Sequence, residues 1–459
     1  MENVIEQWLH DKIRRAAEEE PEFRRFLGKE ILEQVTKADA GKFQLFQLKK
    51  TLFYVYNKSP FYQELFTNKA IKPDDIKSLS DLASLPFTDP DDVAESPYQF
   101  LCVSAGNVAR PITFTSSGTT GPQKRVFFTR SDIDKMVEFM EIGIRTVAKR
   151  GDVVQILLPG GSRLGQLDLL AQGVEQMGGL PIKAGTGLSP DEQLELVKKH
   201  KSTVLFVRTG RLYRMTQELL AKGYELDNLG VKTLFLTSEY LPGAMRKRLE
   251  SIWNCEVSCH YGMSEMGLGV AVECQAHDGF HLNEVDILLE MIDPKTGEVI
   301  TDGSQGEMVF TTLNREGMPL IRYRTHDISR LSTEPCSCGA STLIKFAKTT
   351  HRLESIVKVG DGDEIYPSLF DEVLYEMPEV VDYQVNLNRL SGKDSLSFIV
   401  EVTQVNDRVK EEVRKKLSSP PVVETNISAG RMTESKVELV GLGGLKRSGR
   451  AKKLIADNR

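Results

Sequence analysis

Apolar positions recur along the chain with two different periods, and the switch between them marks its organisation. Near the N-terminus Ile5, Leu9 and Ile13 fall at helical spacing, so residues 1–60 are expected to be helical. A loop-rich stretch should follow, ending near Pro86–Asp91. From residue 111 the pattern becomes regular alternation. PITFT and RVFFT are short β-rich runs flanking a polar loop, and Ser131, with Asp134 three residues on, is expected to cap the next helix. The runs VVQILLP, LPIKA, TVLFV and VKTLFLT then alternate with helical segments, one of them opened by Ser189-Pro190. This β-α-β-α order is the signature of a parallel sheet covered by helices.

Beyond residue 270 the helices thin out, and FHLNEVDILLEMI, GEMVFTT, PLIRYRT and STLIKFA read as antiparallel strands. After residue 352 a compact β/α unit follows, with a helix after Pro367 and a charged helix NDRVKEEVRKKL. The expected fold is therefore α/β. A large domain over 1–352 would contain a helical segment (1–60), an α/β core with a mostly parallel sheet (100–270) and a β-rich part (271–350). A small α+β domain would occupy 353–459. At 459 residues the chain is long enough for two or more cores.

Composition changes this picture little but excludes some functions. With 40% hydrophobic and 27% charged residues the chain is of globular type. Its net charge of -6 argues against a nucleic-acid binder, although Lys446–Lys453 (KRSGRAKK) is locally basic. No apolar run approaches the roughly 20 residues that span a bilayer. The N-terminus is charged from the start, so a cytoplasmic protein is expected. Six cysteines without a regular framework fit a reducing compartment.

Candidate chemistry is concentrated in three motifs. Thr115–Lys124 (TSSGTTGPQK) sits between two β runs and opens with seven consecutive Ser, Thr or Gly residues. Such a loop presents backbone N–H and hydroxyl donors to phosphate oxygens, and Lys124 adds a point charge. It is not a Walker A loop, and the plainer alternative is a polar hairpin. Tyr261–Glu265 (YGMSE) follows the last strand of the alternating section, where such sheets bind ligands. A tyrosine there can stack on a base, a serine can bind phosphate and a glutamate can hold Mg²⁺. Tyr323–Asp327 (YRTHD) ends in an aspartate able to accept from ribose hydroxyls, or else simply paired with its neighbouring arginine.

Taken in this order, the three motifs resemble those of the adenylate-forming superfamily of acyl-CoA synthetases, and more narrowly its phenylacetate–CoA ligase branch. SPFYQELF, SSGTTG, YGMSEMG with Glu273-Cys274, RYRT and CSCG carry the likeness. The resemblance implies ATP-dependent activation of a carboxylic acid to an acyl-AMP, then transfer to coenzyme A. By it, Ser116, Ser117, Gly118, Thr119, Thr120, Gly121 and Lys124 would cradle the phosphates. Ser238, Glu239 and Tyr240 would line the adenine pocket with Tyr261 and Gly262, and Ser264 would bind phosphate. Glu265 would hold Mg²⁺, and Asp327 and Arg352 would hold the ribose. The small domain would be mobile, with Glu354 at its hinge. Relatives suggest a homodimer.

Two features need separate weighing. Where the family has Gly-Lys near its end, this chain has Gly449-Arg450. Arginine keeps the charge but not the shape of an ammonium. Arg450 could take the catalytic role, Lys446 or Lys452 could substitute, or adenylation could be weakened. Cys336-Ser-Cys338 with Cys274 and His281 offers a zinc-type donor set, against the alternative of ordinary buried thiols. The resemblance strengthens the metal reading and leaves both open. The acid itself would be aryl or related, but the segment Gly160–Leu170 has no aromatic residue, which tells against phenylacetate. Arg163 there could pair with a second polar group. Other readings are a transferase of the same architecture with a non-CoA acceptor, and a catalytically silent nucleotide-binding relative.

Overall fold

A computed structural model describes residues 3–29, 32–115, 123–332, 334–445 and 453–459. The fold is mixed α/β, with a large sheet of mostly parallel strands. By internal contacts it divides into two compact units, Met1–Asp152 with Pro159–Lys183 and Ser258–Lys348, and Val153–Leu158 with Ala184–Val257 and Thr349–Arg459. No helix among the described residues is long and apolar enough to cross a membrane.

The first unit opens with helices Val4–Glu19, Pro21–Leu27 and Lys37–Lys58, and Ile5, Leu9 and Ile13 are buried on one face. Residues 60–68, expected as loop, form the helix Pro60–Asn68. Ser59 accepts from the Tyr62 N–H, and Pro60 lacks only a donor that the first turn could not use. Tyr62 is buried there, its hydroxyl 2.9 Å from Thr88 Oγ1 and accepting from Ile321 N–H at 2.8 Å. The helix after the hairpin also starts earlier than expected, at Arg130, with Thr129 and not Ser131 as its cap. Thr129 and Asp132 form a reciprocal capping box, and Asp132 further accepts from Glu316 and Gly317 N–H, which fixes the choice.

A hairpin and two further β sets complete this unit. Strands Arg110–Thr115 and Gln123–Phe128 form an antiparallel hairpin with Thr115 opposite Gln123. Tyr261, Ala271–Glu273, Phe280–Leu282 and Lys345–Phe346 pair antiparallel in sequence. Ile287–Ile292, Gly306–Thr312 and Tyr323–Ser329 form a second antiparallel set. The run FHLNEVDILLEMI is thus two strands, broken where Asn283 Oδ1 accepts from Asp286 N–H.

In the second unit Val153–Leu157, Val204–Arg208 and Thr233–Thr237 are parallel and almost wholly buried, as the continuous apolar runs require. Helix Pro190–His200 is capped by Ser189 as expected. Towards the C-terminus, strands Val380–Leu390 and Lys393–Val402 form a hairpin. Ile455–Asp457 and Lys436–Val440 flank it in parallel. Helices Pro367–Leu374, Asp407–Ser418 and Pro421–Ser428 accompany this sheet.

Candidate functional site

The hairpin Arg110–Phe128 brings Lys124 back towards the 3-10 turn Ser264–Met266. Lys124 Nζ lies 2.8 Å from Glu265 Oε1 and 3.0 Å from the Tyr323 hydroxyl, and that hydroxyl donates to the same Glu265 oxygen at 2.9 Å. All three side chains are buried. Arg315 NH1 donates to the Glu265 backbone carbonyl and fixes the turn from the other side. A cation and a carboxylate held together out of water can each be turned towards a polyphosphate and its counter-ion. The sequence alone gives Tyr323 and Arg315 no role of their own. Tyr323 stands first in YRTHD, but its partner lies 199 positions away.

Asp327 owes its position to an irregularity. Val309 pairs with Arg324 and Glu307 with Ile328, so residues 325–327 bulge opposite Met308. His326 takes a φ of 60°, Thr325 Oγ1 donates to the Met308 carbonyl, and Asp327 N–H donates to Thr325 Oγ1. The bulge turns the Asp327 carboxylate onto Tyr261, whose hydroxyl donates to it at 2.5 Å. Arg324, the alternative partner for Asp327, binds Glu307 instead, at 3.1 Å from Nε. Tyr261 packs edge-on against Phe346 at 5.7 Å. Gly262 beside it admits no side chain, as a Cβ would lie 2.0 Å from the Leu268 carbonyl oxygen. Ser264 opens the turn that carries Glu265.

In the second unit Ser238 ends the strand Thr233–Thr237 with a φ of 75°, uncommon for a residue with a Cβ. The turn lets Glu239 accept from Gly210 N–H at 2.6 Å, at the start of helix Thr209–Ala221. Burial raises the Glu239 pKa, and the Gly210 bond offsets part of that rise. The Tyr240 hydroxyl donates to Glu372 at 2.6 Å, and burial followed by this bond pushes its pKa up. Arg352 sits 3.9 Å from Glu354.

Ser116–Gly121, expected to bind phosphate, and the C-terminal Arg450, with Lys446 and Lys452, lie outside the described residues. Arg163 is exposed.

The cysteine motif closes on itself in space. One donor atom from each of Cys274, His281, Cys336 and Cys338 lies within 4.8 Å of every other. Cys274 and Cys336 sulfurs are 3.4 Å apart, and His281 Nε2 is 3.3 Å from Cys338 Sγ. These spacings are far beyond the ~2.05 Å of a disulfide and close to the ~3.8 Å edge of a tetrahedron with zinc–sulfur bonds of about 2.3 Å. Three thiols and one imidazole on two short segments fit zinc.

Similarity to known proteins extends over most of the chain. The family described as AMP-binding enzyme matches residues 55–314, and its C-terminal domain family matches 362–459. Phenylacetate-coenzyme A ligase of Aromatoleum evansii is 33% identical over 81% of this chain and 84% of its own length. The enzyme of the same name from Thermus thermophilus is 30% identical over 86% and 88%. A crystal structure of 2-hydroxyisobutyryl-CoA ligase in the postadenylation state, in complex with 2-HIB-AMP, superposes with a TM-score of 0.80 at 20% identity, covering 93% of this chain and 91% of that one.

Proposed function

This chain belongs to the AMP-binding enzyme family, and from that premise we propose that it is an AMP-forming acid–thiol ligase. A carboxylate oxygen attacks the α-phosphorus of ATP and pyrophosphate leaves. The coenzyme A thiol then attacks the acyl-AMP carbonyl and AMP leaves. The observation that carries this reading is the buried Lys124–Glu265–Tyr323 cluster at the root of the Ser/Thr/Gly hairpin, with both charges ready to separate around a polyphosphate.

In this reading Lys124 and the Ser116–Gly121 loop hold the phosphates, and Ser264 adds a hydroxyl. Mg²⁺, held by Glu265, would offset the charge of the leaving pyrophosphate. Tyr261 packs on adenine beside Gly262, the Ser238–Glu239–Tyr240 segment borders the base, and Asp327 with Arg352 takes the ribose hydroxyls. Arg450 neutralises the reacting carboxylate and the α-phosphate. The small C-terminal domain moves between the two half-reactions about Glu354. Catalysis is charge stabilisation and positioning, with no covalent enzyme intermediate.

The acid is of the aryl or a related class. Cys274, His281, Cys336 and Cys338 hold zinc in a closed site, where the metal's contribution is to stability and shape. The protein works in the cytoplasm as a homodimer. Its six cysteines form no disulfide, which supports a reducing compartment, and light scattering on the purified protein tests the dimer.

The deciding experiment is pyrophosphate release from ATP and Mg²⁺ with a panel of aryl, heteroaryl and short aliphatic acids, each with and without coenzyme A. The expected result is release with one acid class and a thioester only when coenzyme A is present. An acyl-AMP that ignores coenzyme A would instead identify another acceptor. ATP binding without turnover on any acid would identify a silent relative.

A further inference from the structure

His281 of the four-donor cluster and Tyr261 belong to one sheet, and the strand that carries His281 also carries a ring packed near Tyr261. His281 lies in the three-residue strand Phe280–Leu282, between Val272 on one side and Lys345 on the other. Its neighbour Phe280 points to the opposite face of the sheet, where it stacks on Phe346 with ring centroids 5.7 Å apart. Phe346 in turn meets Tyr261 edge-on at 5.7 Å, and Phe280 lies 6.3 Å from the same ring. One face of this strand pair thus carries the metal ligand, and the other carries the wall behind Tyr261.

The strand bearing Phe346 is weak by itself. It has two residues, Lys345–Phe346, and forms the edge of its sheet. Phe346 also closes the cysteine loop, through its bridge to Leu331, and Ser332 N–H donates to the Lys345 carbonyl. Gly279 fits so tightly beneath it that a Cβ would come within 2.5 Å of the Phe346 carbonyl oxygen. A two-residue edge strand has little cooperative stability. A metal joining Cys336 and Cys338 to Cys274 and His281 would staple the loop to the sheet at the strand's base.

We infer that the cluster acts as a remote support for nucleotide binding, and that Phe346 and Phe280 are positioning residues that transmit the metal's constraint to Tyr261. The inference rests on the readings that the cluster holds zinc and that Tyr261 packs on adenine. Metal loss frees the edge strand, lets the Phe346 ring leave Tyr261 and weakens AMP and ATP binding, while turnover at saturating ATP is kept.

The test uses the full chain and calorimetric titration with AMP. Zinc content is measured for the wild type as purified, for chelator-treated wild type and for Cys336→Ser. Phe346→Ala is titrated in parallel with its metal in place. The expected result is one zinc per chain in the wild type. The AMP Kd should rise about fivefold to tenfold in the chelated protein and in Phe346→Ala, the scale of one lost aromatic pair. The KM for ATP should rise in step, with kcat within about twofold. Zinc present, with an unchanged AMP Kd on its removal and in Phe346→Ala, overturns the coupling and leaves the metal reading standing. Absence of zinc from the wild type overturns the metal reading and the inference with it. A Tyr261→Ala variant binding AMP as the wild type does locates the failure in the nucleotide assignment instead.

Discussion

Lys124 Nζ lies 2.8 Å from Glu265 Oε1 with the two side chains only 8% and 6% exposed, so each charge depends on the other to remain out of water. Lys124→Met strands the Glu265 carboxylate, and should destabilise the fold by ~3–5 kcal/mol. The double variant Lys124→Met/Glu265→Gln removes both charges and should recover part of that loss, which denaturant unfolding of all four proteins would measure. Pyrophosphate release should fall about 100-fold or more in both single variants and stay low in the double. A double variant with wild-type turnover would make the pair purely structural.

The Tyr261–Asp327 bond gives a prediction specific to the sugar. If Asp327 exchanges Tyr261 for a ribose hydroxyl, Asp327→Asn should raise the ATP KM about tenfold to 100-fold, the range for a hydrogen bond to a charged group. The variant should also lose most of the wild type's preference for ATP over 3′-deoxy-ATP. Comparing kcat/KM for the two nucleotides in both proteins checks this. A variant that still discriminates as strongly would place the ribose elsewhere.

How far the sequence reveals this arrangement depends on the range of each interaction. Ser189-Pro190 is readable as a helix start because cap, N1 proline and Glu192 lie within four residues. Ser59-Pro60 carries the same local signal, and the helix it opens was legible in principle. Ser131 was the wrong cap because Thr129-x-x-Asp132 matches the same pattern two residues earlier. What favours it is Asp132's second pair of bonds, to Glu316 and Gly317, which lie far away in sequence. The three candidate motifs are legible as local strings. The grouping of Lys124, Glu265 and Tyr323 depends on contacts that only the fold creates, as does the bond from Asn3 Nδ2 to Cys338 Sγ at 3.4 Å. The bulge that aims Asp327 was likewise hidden, since His326 gives no sign of a left-handed backbone.

Gly210 offers a steric test of the Glu239 segment. A Cβ there would sit 2.5 Å from Glu239 Oε2, the oxygen that now accepts from the Gly210 N–H. Gly210→Ala should therefore expel the Glu239 carboxylate and destabilise the protein by ~1–3 kcal/mol. Adding Glu239→Ala relieves the clash, so the pair should regain stability without regaining ATP affinity. Thermal melts and ATP titrations of the single and double variants separate the two effects. Recovery of both together would remove Glu239 from the nucleotide site.

His260 lends stability a pH dependence of definite sign. It is buried in the strand that leads into Tyr261, and desolvation lowers its pKa from 6.5 to about 4. Between those values the unfolded chain binds a proton that the folded one refuses. The contribution is therefore fully present above pH 6.5 and is lost as pH falls towards 4. At pH 5 the loss should be ~2 kcal/mol, from 1.36 kcal/mol per unit. Glu284 acts oppositely. Burial raises its pKa from 4.5 to about 7, so its stabilising contribution is lost as pH rises through that range. The wild type alone would show only their sum, and the comparison needed is with His260→Gln. Urea unfolding at pH 5 and pH 7.5 should give a stability gain with pH that is larger in the wild type by ~2 kcal/mol. Equal gains in the two proteins would mean that His260 accepts its proton in the folded state, and that water or a charged partner reaches it there.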